Sequence, residues 1–167
     1  DGILTVNTGS FQDERGLFQR IYCDKELSGI LKGRKIKQVN HSYTINKGSI
    51  RGLHFQKKPF EELKIIYCIQ GSIFDVVVDL RKNSDTFGKY FSITLDSKDF
   101  NALVVPEGFA HGFQTLTNNV RMIYFHTAFF SERHQDGINV FSENLLIDWP
   151  LSVKNISKRD ENLEMFS

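Results

Sequence analysis

The sequence predicts an all-β fold, a closed jelly-roll barrel with short flanking helices. Helical periodicity is weak along the chain, whereas many runs of about five to ten residues have the composition of strands. Turn residues separate these runs about every ten residues, a spacing typical of β-sandwiches and barrels. Several runs are apolar on both faces, so both faces of those strands must be covered.

The individual elements follow from these runs and from the turn residues between them. Gly71, between Gln70 and Ser72, predicts a hairpin turn, and Asn118-Asn119 marks a second turn at which a positive φ is allowed. The best helix candidate is the segment 24–31. The expected strands cover residues 35–44, 62–70, 72–81, 89–96, 102–105, 113–116 and 120–130.

Alternation assigns faces within these strands. In the strand at 120–130 we expect Met122, Tyr124 and His126 on one face and Ile123 and Phe125 on the other. Where a strand is apolar on both faces, its second face could be covered by another sheet of the same chain or by a second subunit. We expect the outer face of the roll to pair in a homodimer.

Length and charge exclude several classes of function. The 167 residues suit one domain covering 1–167, and the opening at Asp1 without Met indicates a missing N-terminal segment. A net charge of +1 gives no reason to expect binding of nucleic acid or of an anionic membrane, and no apolar run is long enough to span one. Cys23 and Cys68 lie in apolar runs, which favours reduced thiols in a cytoplasmic protein.

Two short segments carry most of the candidate chemistry. The Pro-x-Gly-x-x-His spacing within 106–113 resembles the second motif of the cupin superfamily. Metal cupins have His-x-His in their first motif, but here His54 is followed by Gln56, so we expect no metal and disfavour a cupin oxygenase. A lone His54 could also be a core histidine, but the charged Arg51 and Lys64 near an apolar barrel need a partner anion or carboxylate. Arg51 would face away from it on a straight strand, although a bulge at Gly52 could turn both inward.

The chain resembles the dTDP-4-dehydrorhamnose 3,5-epimerase family over essentially its whole length. Several of the matching motifs are longer than six residues, which makes chance a poor explanation. The family sequence normally begins some residues earlier than this chain does. The matching segments are 13–18, 51–56, 71–81, 84–88, 106–113 and 147–150.

This resemblance implies proton transfer on a nucleotide-linked 4-keto-6-deoxyhexose, dTDP-linked in the family pattern, without any cofactor. The ketone acidifies the hydrogens on C3 and C5, so that a base can form an enolate and an acid can return a proton to the opposite face. His54 matches the base and Asp160 the carboxylate that orients it. Lys64 matches the group that stabilises the enolate oxygen, and Tyr124 matches the proton donor.

The resemblance also implies a set of substrate-binding residues. Arginines fit the phosphates because a guanidinium can bind phosphate oxygens in a bidentate manner. In the family, part of each site comes from the neighbouring subunit, which implies a homodimer with shared sites. The matching residues are Arg15 and Arg51 for the phosphates, Gln38 and Asn40 for the nucleotide sugar, Phe18 for the base, and His111 for a further substrate contact.

Three positions depart from the family pattern. Arg20 and Gln135 stand where glutamates are usual, and Phe130 stands where a second site tyrosine is frequent. The remaining histidines, His41, His126 and His134, match no role and are interpreted as structural. Alternatives to a 3,5-epimerase of deoxysugar and lipopolysaccharide synthesis are therefore a mono-epimerase, a 3,4-ketoisomerase, or a noncatalytic sugar-binding cupin.

Overall fold

The computed structural model describes residues 2–167, within which the chain forms twelve strands and two short helices. The helices are α1 (Ser28–Leu31) and α2 (Lys158–Glu161). The strands are β1 (Leu4–Asn7), β2 (Ser10–Asp13), β3 (Gly16–Gln19), β4 (Gln38–Thr44), β5 (Ile50–Gln56), β6 (Lys64–Gln70), β7 (Ser72–Asp79), β8 (Tyr90–Asp96), β9 (Asn101–Val105), β10 (Phe109–Thr115), β11 (Val120–His126) and β12 (Gln135–Gly137).

Ten of the strands described in residues 2–167 form two five-stranded antiparallel sheets that pack into a jelly roll. The front sheet has the order β1-β9-β6-β11-β4, and the back sheet has the order β12-β5-β10-β7-β8. The β2–β3 hairpin stands apart from both sheets and is called the arm below. The prediction of an all-β jelly roll with short helices is confirmed.

Apolar side chains of both sheets fill the interior of the roll. Ile66 and Met122 of the front sheet meet Val77 and Phe113 of the back sheet in one buried cluster, against which Tyr124 also packs. Met122 and Tyr124 therefore share the inner face of β11, as alternation predicted. Burial of each such side chain contributes about 1.5–3 kcal/mol to folding.

The outer faces are covered largely by the chain itself. Leu27 and Leu31, around α1, pack with Phe125 on the outside of the front sheet. The C-terminal segment brings Leu145 and Trp149 against Val78 and its neighbours on the outside of the back sheet. The covering of both strand faces that the sequence predicts is therefore provided in part by the chain itself.

Part of the outer front face remains uncovered. Val39, Tyr43 and Ile69 are exposed there, and so are Phe11 and Phe18 on the arm. Exposed apolar groups of this size are costly to leave in water.

The predicted hairpin at Gly71 is wrong. The strands on its two sides belong to different sheets, so Gly71 forms a corner between the front and back sheets. Its φ is +81°, and a Cβ atom would lie 2.5 Å from the hydroxyl oxygen of Thr117, which explains the glycine. Asn119 occupies a similar corner between β10 and β11 and has the predicted positive φ, +58°.

Several predicted boundaries also differ. The last long strand ends at His126 and not at residue 130, and the predicted helix is reduced to α1 because residues 24–27 form turns. The strands of the arm were not predicted, since they are short, exposed and paired only with each other. An exposed hairpin has no buried face and hence no period-two pattern.

Candidate active site

A cavity of about 560 Å³ lies inside the roll. It is lined by inward-facing side chains of β4, β5, β6, β10 and β11, and it holds most of the predicted site residues. The predicted residues on its wall are Gln38, Asn40, Arg51, His54, Lys64, His111, Tyr124 and Phe130.

A bulge in β5 brings Arg51 and His54 to the same cavity. His54 pairs with His111 and Arg51 pairs with Phe113, so the register between β5 and β10 shifts by one residue within this stretch. Gly52 sits in this bulge with a φ of +124°, and a Cβ atom there would approach the Cα atom of Gly112 to 2.5 Å. The bulge that the sequence left open is therefore present, and it requires glycine.

His54 is paired with a buried carboxylate. Its Nε2 atom donates to Oδ1 of Asp160 over 2.7 Å, and the backbone N–H of Gly52 donates to the other oxygen over 3.2 Å. Ser157 caps α2 by accepting from the Asp160 N–H, which fixes the position of the carboxylate. Within residues 2–167, Nδ1 of His54 has no hydrogen-bond partner and is the ring nitrogen left to act as a base.

The charge of Asp160 supports this arrangement. Burial opposes its ionisation, but hydrogen bonds from His54, Gly52 and Ser157 outweigh that effect and hold the pKa of the carboxyl below its usual value. An ionised Asp160 keeps the proton of the neutral imidazole on Nε2 and stabilises the imidazolium that forms when Nδ1 takes up a proton.

Lys64 begins β6 and points into the cavity. Its Nζ atom lies 3.4 Å from Oε1 of Glu62 and donates to the carbonyl oxygen of His54 over 3.4 Å. Burial lowers the pKa of Lys64, and the carboxylates of Glu62 and Asp75 oppose that shift. A desolvated ammonium beside the base is suited to stabilise a negative oxygen on a bound molecule.

Tyr124 presents a buried hydroxyl to the same space. Its Oη lies 3.0 Å from Oγ of Ser42. Burial raises the pKa of Tyr124 above its usual value, so the phenol carries its proton at neutral pH and can donate it.

Two arginines lie on one side of the site. Arg51 donates from Nε to Oγ1 of Thr44 over 3.0 Å, which fixes the direction of its guanidinium. A recess of about 360 Å³ next to the main cavity is lined by Arg51, His54 and Arg159. Arg159 was not predicted, because a basic residue in a charged C-terminal segment resembles any surface arginine.

His111 is held by a buried acid. Its Nε2 atom lies 3.0 Å from Oδ2 of Asp75. Burial raises the pKa of Asp75, an effect that the charge and hydrogen bond of His111 oppose. This pairing orients the His111 ring toward the cavity, where its edge lies near Tyr124, with 6.5 Å between the ring centroids.

The polar pair and Phe130 line the mouth of the cavity together. Oε1 of Gln38 accepts from the backbone N–H of Phe130 over 2.8 Å, while Nε2 of Gln38 donates to Oδ1 of Asn40 over 3.5 Å. Gln135 also lines this wall. Phe130 is exposed and offers a ring without a hydroxyl group.

Arg15 and Phe18 do not reach this cavity within their own chain. Both residues lie on the arm. Arg15 pairs with Asp13, and the Arg15 side chain is 84% exposed. Phe18 is 67% exposed. Neither residue lines the cavity that contains His54.

The sequence interpretation missed two buried residues of the cavity wall. Glu62 was given no role, and His126 was interpreted as structural, yet both line the cavity and form a hydrogen bond over 2.9 Å. Alternation correctly placed His126 on the same face of β11 as Tyr124, but no role at the site was inferred from that placement.

Within residues 2–167, no three His, Cys, Asp or Glu side chains are grouped closely enough to hold a metal ion. In the same range no helix is long and apolar enough to cross a membrane. The groups gathered in the cavity are instead a histidine–aspartate pair, an ammonium, a phenol and a guanidinium. The fold and the site together define a jelly-roll protein whose cavity gathers groups suited to acid–base chemistry.

Comparison with known proteins makes the assignment specific. Residues 1–167 match the family model described as dTDP-4-dehydrorhamnose 3,5-epimerase, and the chain belongs to this family. The dTDP-4-dehydrorhamnose 3,5-epimerase of Shigella flexneri is 38% identical over 166 residues, which are 98% of this chain and 91% of that protein.

Solved structures agree with this assignment. The structure of the Bacillus anthracis 3,5-epimerase with TDP and PPi bound has 36% identity and a TM-score of 0.94, with 98% of this chain and 94% of that chain covered. The Legionella pneumophila 3,5-epimerase in complex with dTDP-4-keto-L-rhamnose has 30% identity and a TM-score of 0.93, with 99% and 88% covered.

Proposed function

We propose that this chain inverts C3 and C5 of a dTDP-linked 4-keto-6-deoxyhexose, with His54 as the base and Tyr124 as the acid. The observation that carries the proposal is that the His54–Asp160 pair, the Lys64 ammonium and the Tyr124 hydroxyl meet at one cavity. An epimerase needs a base, an acid and a stabiliser of the enolate, whereas a sugar-binding module needs none of them.

Each inversion balances as two proton transfers. Nδ1 of His54 takes the proton from the carbon beside the ketone, and the electrons of the broken C–H bond form the enolate, whose oxygen faces the Lys64 ammonium. Tyr124 then gives its proton to the opposite face of that carbon, and the electrons return to the carbonyl group. Exchange with solvent afterwards restores the phenol and the neutral imidazole.

We assign the nucleotide diphosphate to the arginine side of the site. Arg51 and Arg159 line the recess next to His54, and the bidentate geometry of a guanidinium suits phosphate oxygens. Gln38, Asn40 and His111 offer polar groups to the sugar. The 3,5-epimerases from Bacillus anthracis and Legionella pneumophila bind TDP and a dTDP-sugar, respectively.

We assign the missing part of the site to a second copy of the chain. Arg15 and Phe18 lie on an exposed arm, outside the cavity of their own subunit. A homodimer formed through the uncovered front face would bury Val39 and Tyr43 and would let the arm reach the partner's cavity. Sedimentation at micromolar concentration should therefore give the mass of two chains.

We assign the reaction to the cytoplasm, in deoxysugar synthesis that supplies surface polysaccharides such as lipopolysaccharide. Both cysteines, Cys23 and Cys68, are free, which suits a reducing compartment.

The test is incubation with dTDP-4-keto-6-deoxyglucose in D₂O, followed by proton NMR. We expect deuterium at C3 and C5 and accumulation of the inverted sugar. An absence of both would refute the proposal. A second candidate, inversion of C3 alone, is favoured by Phe130, which lacks a hydroxyl group at the cavity mouth; it predicts deuterium and inversion at C3 with little at C5.

A further inference from the structure

A chain of hydrogen bonds runs along the cavity wall and ends in an ion pair with Lys64. Nδ2 of Asn40 lies 3.3 Å from Nε2 of His126, and Nδ1 of His126 lies 2.9 Å from Oε2 of Glu62. Oε1 of Glu62 lies 3.4 Å from Nζ of Lys64. Glu62 thus bridges the histidine and the lysine.

The amide of Asn40 determines where the proton of neutral His126 lies. An amide nitrogen can only donate, so Nε2 of His126 must accept, and its proton is on Nδ1, which donates to Glu62. On the other side of the amide, Gln38 donates to the Asn40 oxygen. Each donor in this chain therefore meets an acceptor.

The two central residues are nearly inaccessible. The side chains of Glu62 and His126 are 7% and 11% exposed. A buried carboxylate is costly unless its charge is compensated, and here the compensating cation is Lys64. Neither residue has a part in the proton transfers described above.

We propose, building on the function proposed above, that Glu62 and His126 are positioning residues for the epimerase reaction. Glu62 keeps the Lys64 side chain charged and directed at the enolate oxygen. His126 fixes the amide of Asn40 in the orientation that receives the sugar.

The electrostatics of Lys64 support this assignment. Burial lowers its pKa, and Glu62 is the largest opposing influence, followed by Asp75 behind His111. Removal of the Glu62 carboxylate therefore lowers the pKa of Lys64 further, so that the ammonium is lost at a lower pH. The other titratable groups that line the same cavity are His41, Arg51, His54, His111, Tyr124 and His126.

The first test measures the titration of Lys64 directly in Glu62→Gln. If the oxygen of the amide introduced at position 62 accepts from His126, the NH₂ group of that amide faces Lys64 and disfavours the charged form of the lysine. With ¹³Cε-labelled lysine, and Lys64 assigned by its absence in Lys64→Met, NMR should show the titration of Lys64 shifted down by about 1–3 pH units. The alkaline limb of the kcat–pH profile should shift in the same direction.

Glu107→Gln is the matched control. Glu107 is a partly buried carboxylate that pairs with Arg34 and does not line the cavity, so its loss should leave the Lys64 titration unchanged. An identical Lys64 titration in wild type and Glu62→Gln would overturn the proposal. This readout needs no turnover, whereas failure of the proposed function would appear as wild-type protein that exchanges no deuterium.

The second test separates positioning from proton transfer at His126. In His126→Gln, one amide can accept from Asn40 and donate to Glu62, so we expect kcat and KM within about threefold of wild type. In His126→Leu neither contact is possible, and KM should rise about tenfold with a smaller change in kcat. Equal loss of kcat in both variants would show that His126 transfers protons, and unchanged kinetics in both would remove its role.

Discussion

Replacing Asp160 by Asn tests whether the carboxylate activates His54. The substitution removes a hydrogen bond of 2.7 Å between a carboxylate and an imidazole. Hydrogen bonds to charged groups contribute about 1.5–3 kcal/mol, which corresponds to a loss in rate of roughly 10- to 150-fold.

The geometry adds a second reason for this loss. The Gly52 N–H donates to the other carboxylate oxygen, so the introduced amide would turn its oxygen toward Gly52 and its NH₂ group toward His54. Nε2 of His54 would then have to accept, and the proton would move to Nδ1, the nitrogen that acts as the base. His54→Ala removes the base entirely and should lower kcat further, by about 10²- to 10⁴-fold.

The assay is single-turnover epimerisation together with deuterium uptake from D₂O, and thermal unfolding serves to confirm that each variant is folded. Asp24→Asn is the control, since Asp24 makes only exposed contacts, with Lys35 and Tyr22, and its loss should not change the rate. A folded Asp160→Asn protein with wild-type kcat, or a His54→Ala protein that still epimerises, would refute the assignment of this pair.

Four further predictions concern single groups. In Tyr124→Phe, His54 can still remove a proton and return a solvent-derived one, so we expect deuterium uptake to persist while inverted product falls sharply; loss of both would contradict separate roles for base and acid. Arg51→Lys keeps the charge but not the bidentate donor, and substrate affinity measured by calorimetry should weaken about tenfold or more, whereas unchanged affinity would exclude a phosphate contact. Activity should survive treatment with EDTA. If activity is lost and elemental analysis finds a stoichiometric metal, the prediction from Gln56 that the site needs no metal would be wrong. Asp79→Asn should lower the free energy of unfolding in urea by about 1.5–3 kcal/mol, because buried Asp79 accepts from Arg81 and two hydroxyl groups. Burial opposes the ionisation of Asp79, but these bonds hold its pKa below the usual value, so the difference from wild type should be largest at neutral pH and shrink as the pH falls through acid values; an equal difference at all pH values would contradict this.

The alternation of side chains was the most reliable guide to the fold. It placed Tyr124 on the inner face of β11 and Phe125 on the outer face, because the packing of two sheets enforces a period of two. It could not show whether consecutive strands pair with each other. A glycine with a positive φ, such as Gly71, suits a hairpin turn as well as a corner between sheets, so the sheet assignment depends on long-range packing.

The candidate site was predictable where a residue type is unusual for its position, and not where it depends on long-range pairing. Arg51 beside an apolar barrel required a partner or a ligand, which the sequence alone indicates. The pairing of His54 with Asp160 joins residues 106 positions apart, and only the family resemblance indicated it. Glu62 and His126 were given no role at the site because each looks ordinary until the fold places one against the other.

The wide separation of His54 and Asp160 also affects when the enzyme can work. During synthesis, β5 leaves the ribosome long before α2, so a chain whose two sheets have already formed still lacks the carboxylate that holds the imidazole. In the finished protein, α2 is only four residues long, and a brief local opening of this segment would detach Asp160 without disturbing either sheet. Activity is therefore a more sensitive indicator of the docking of the C-terminal segment than any spectroscopic measure of β-structure, and it should be lost first when the protein is heated.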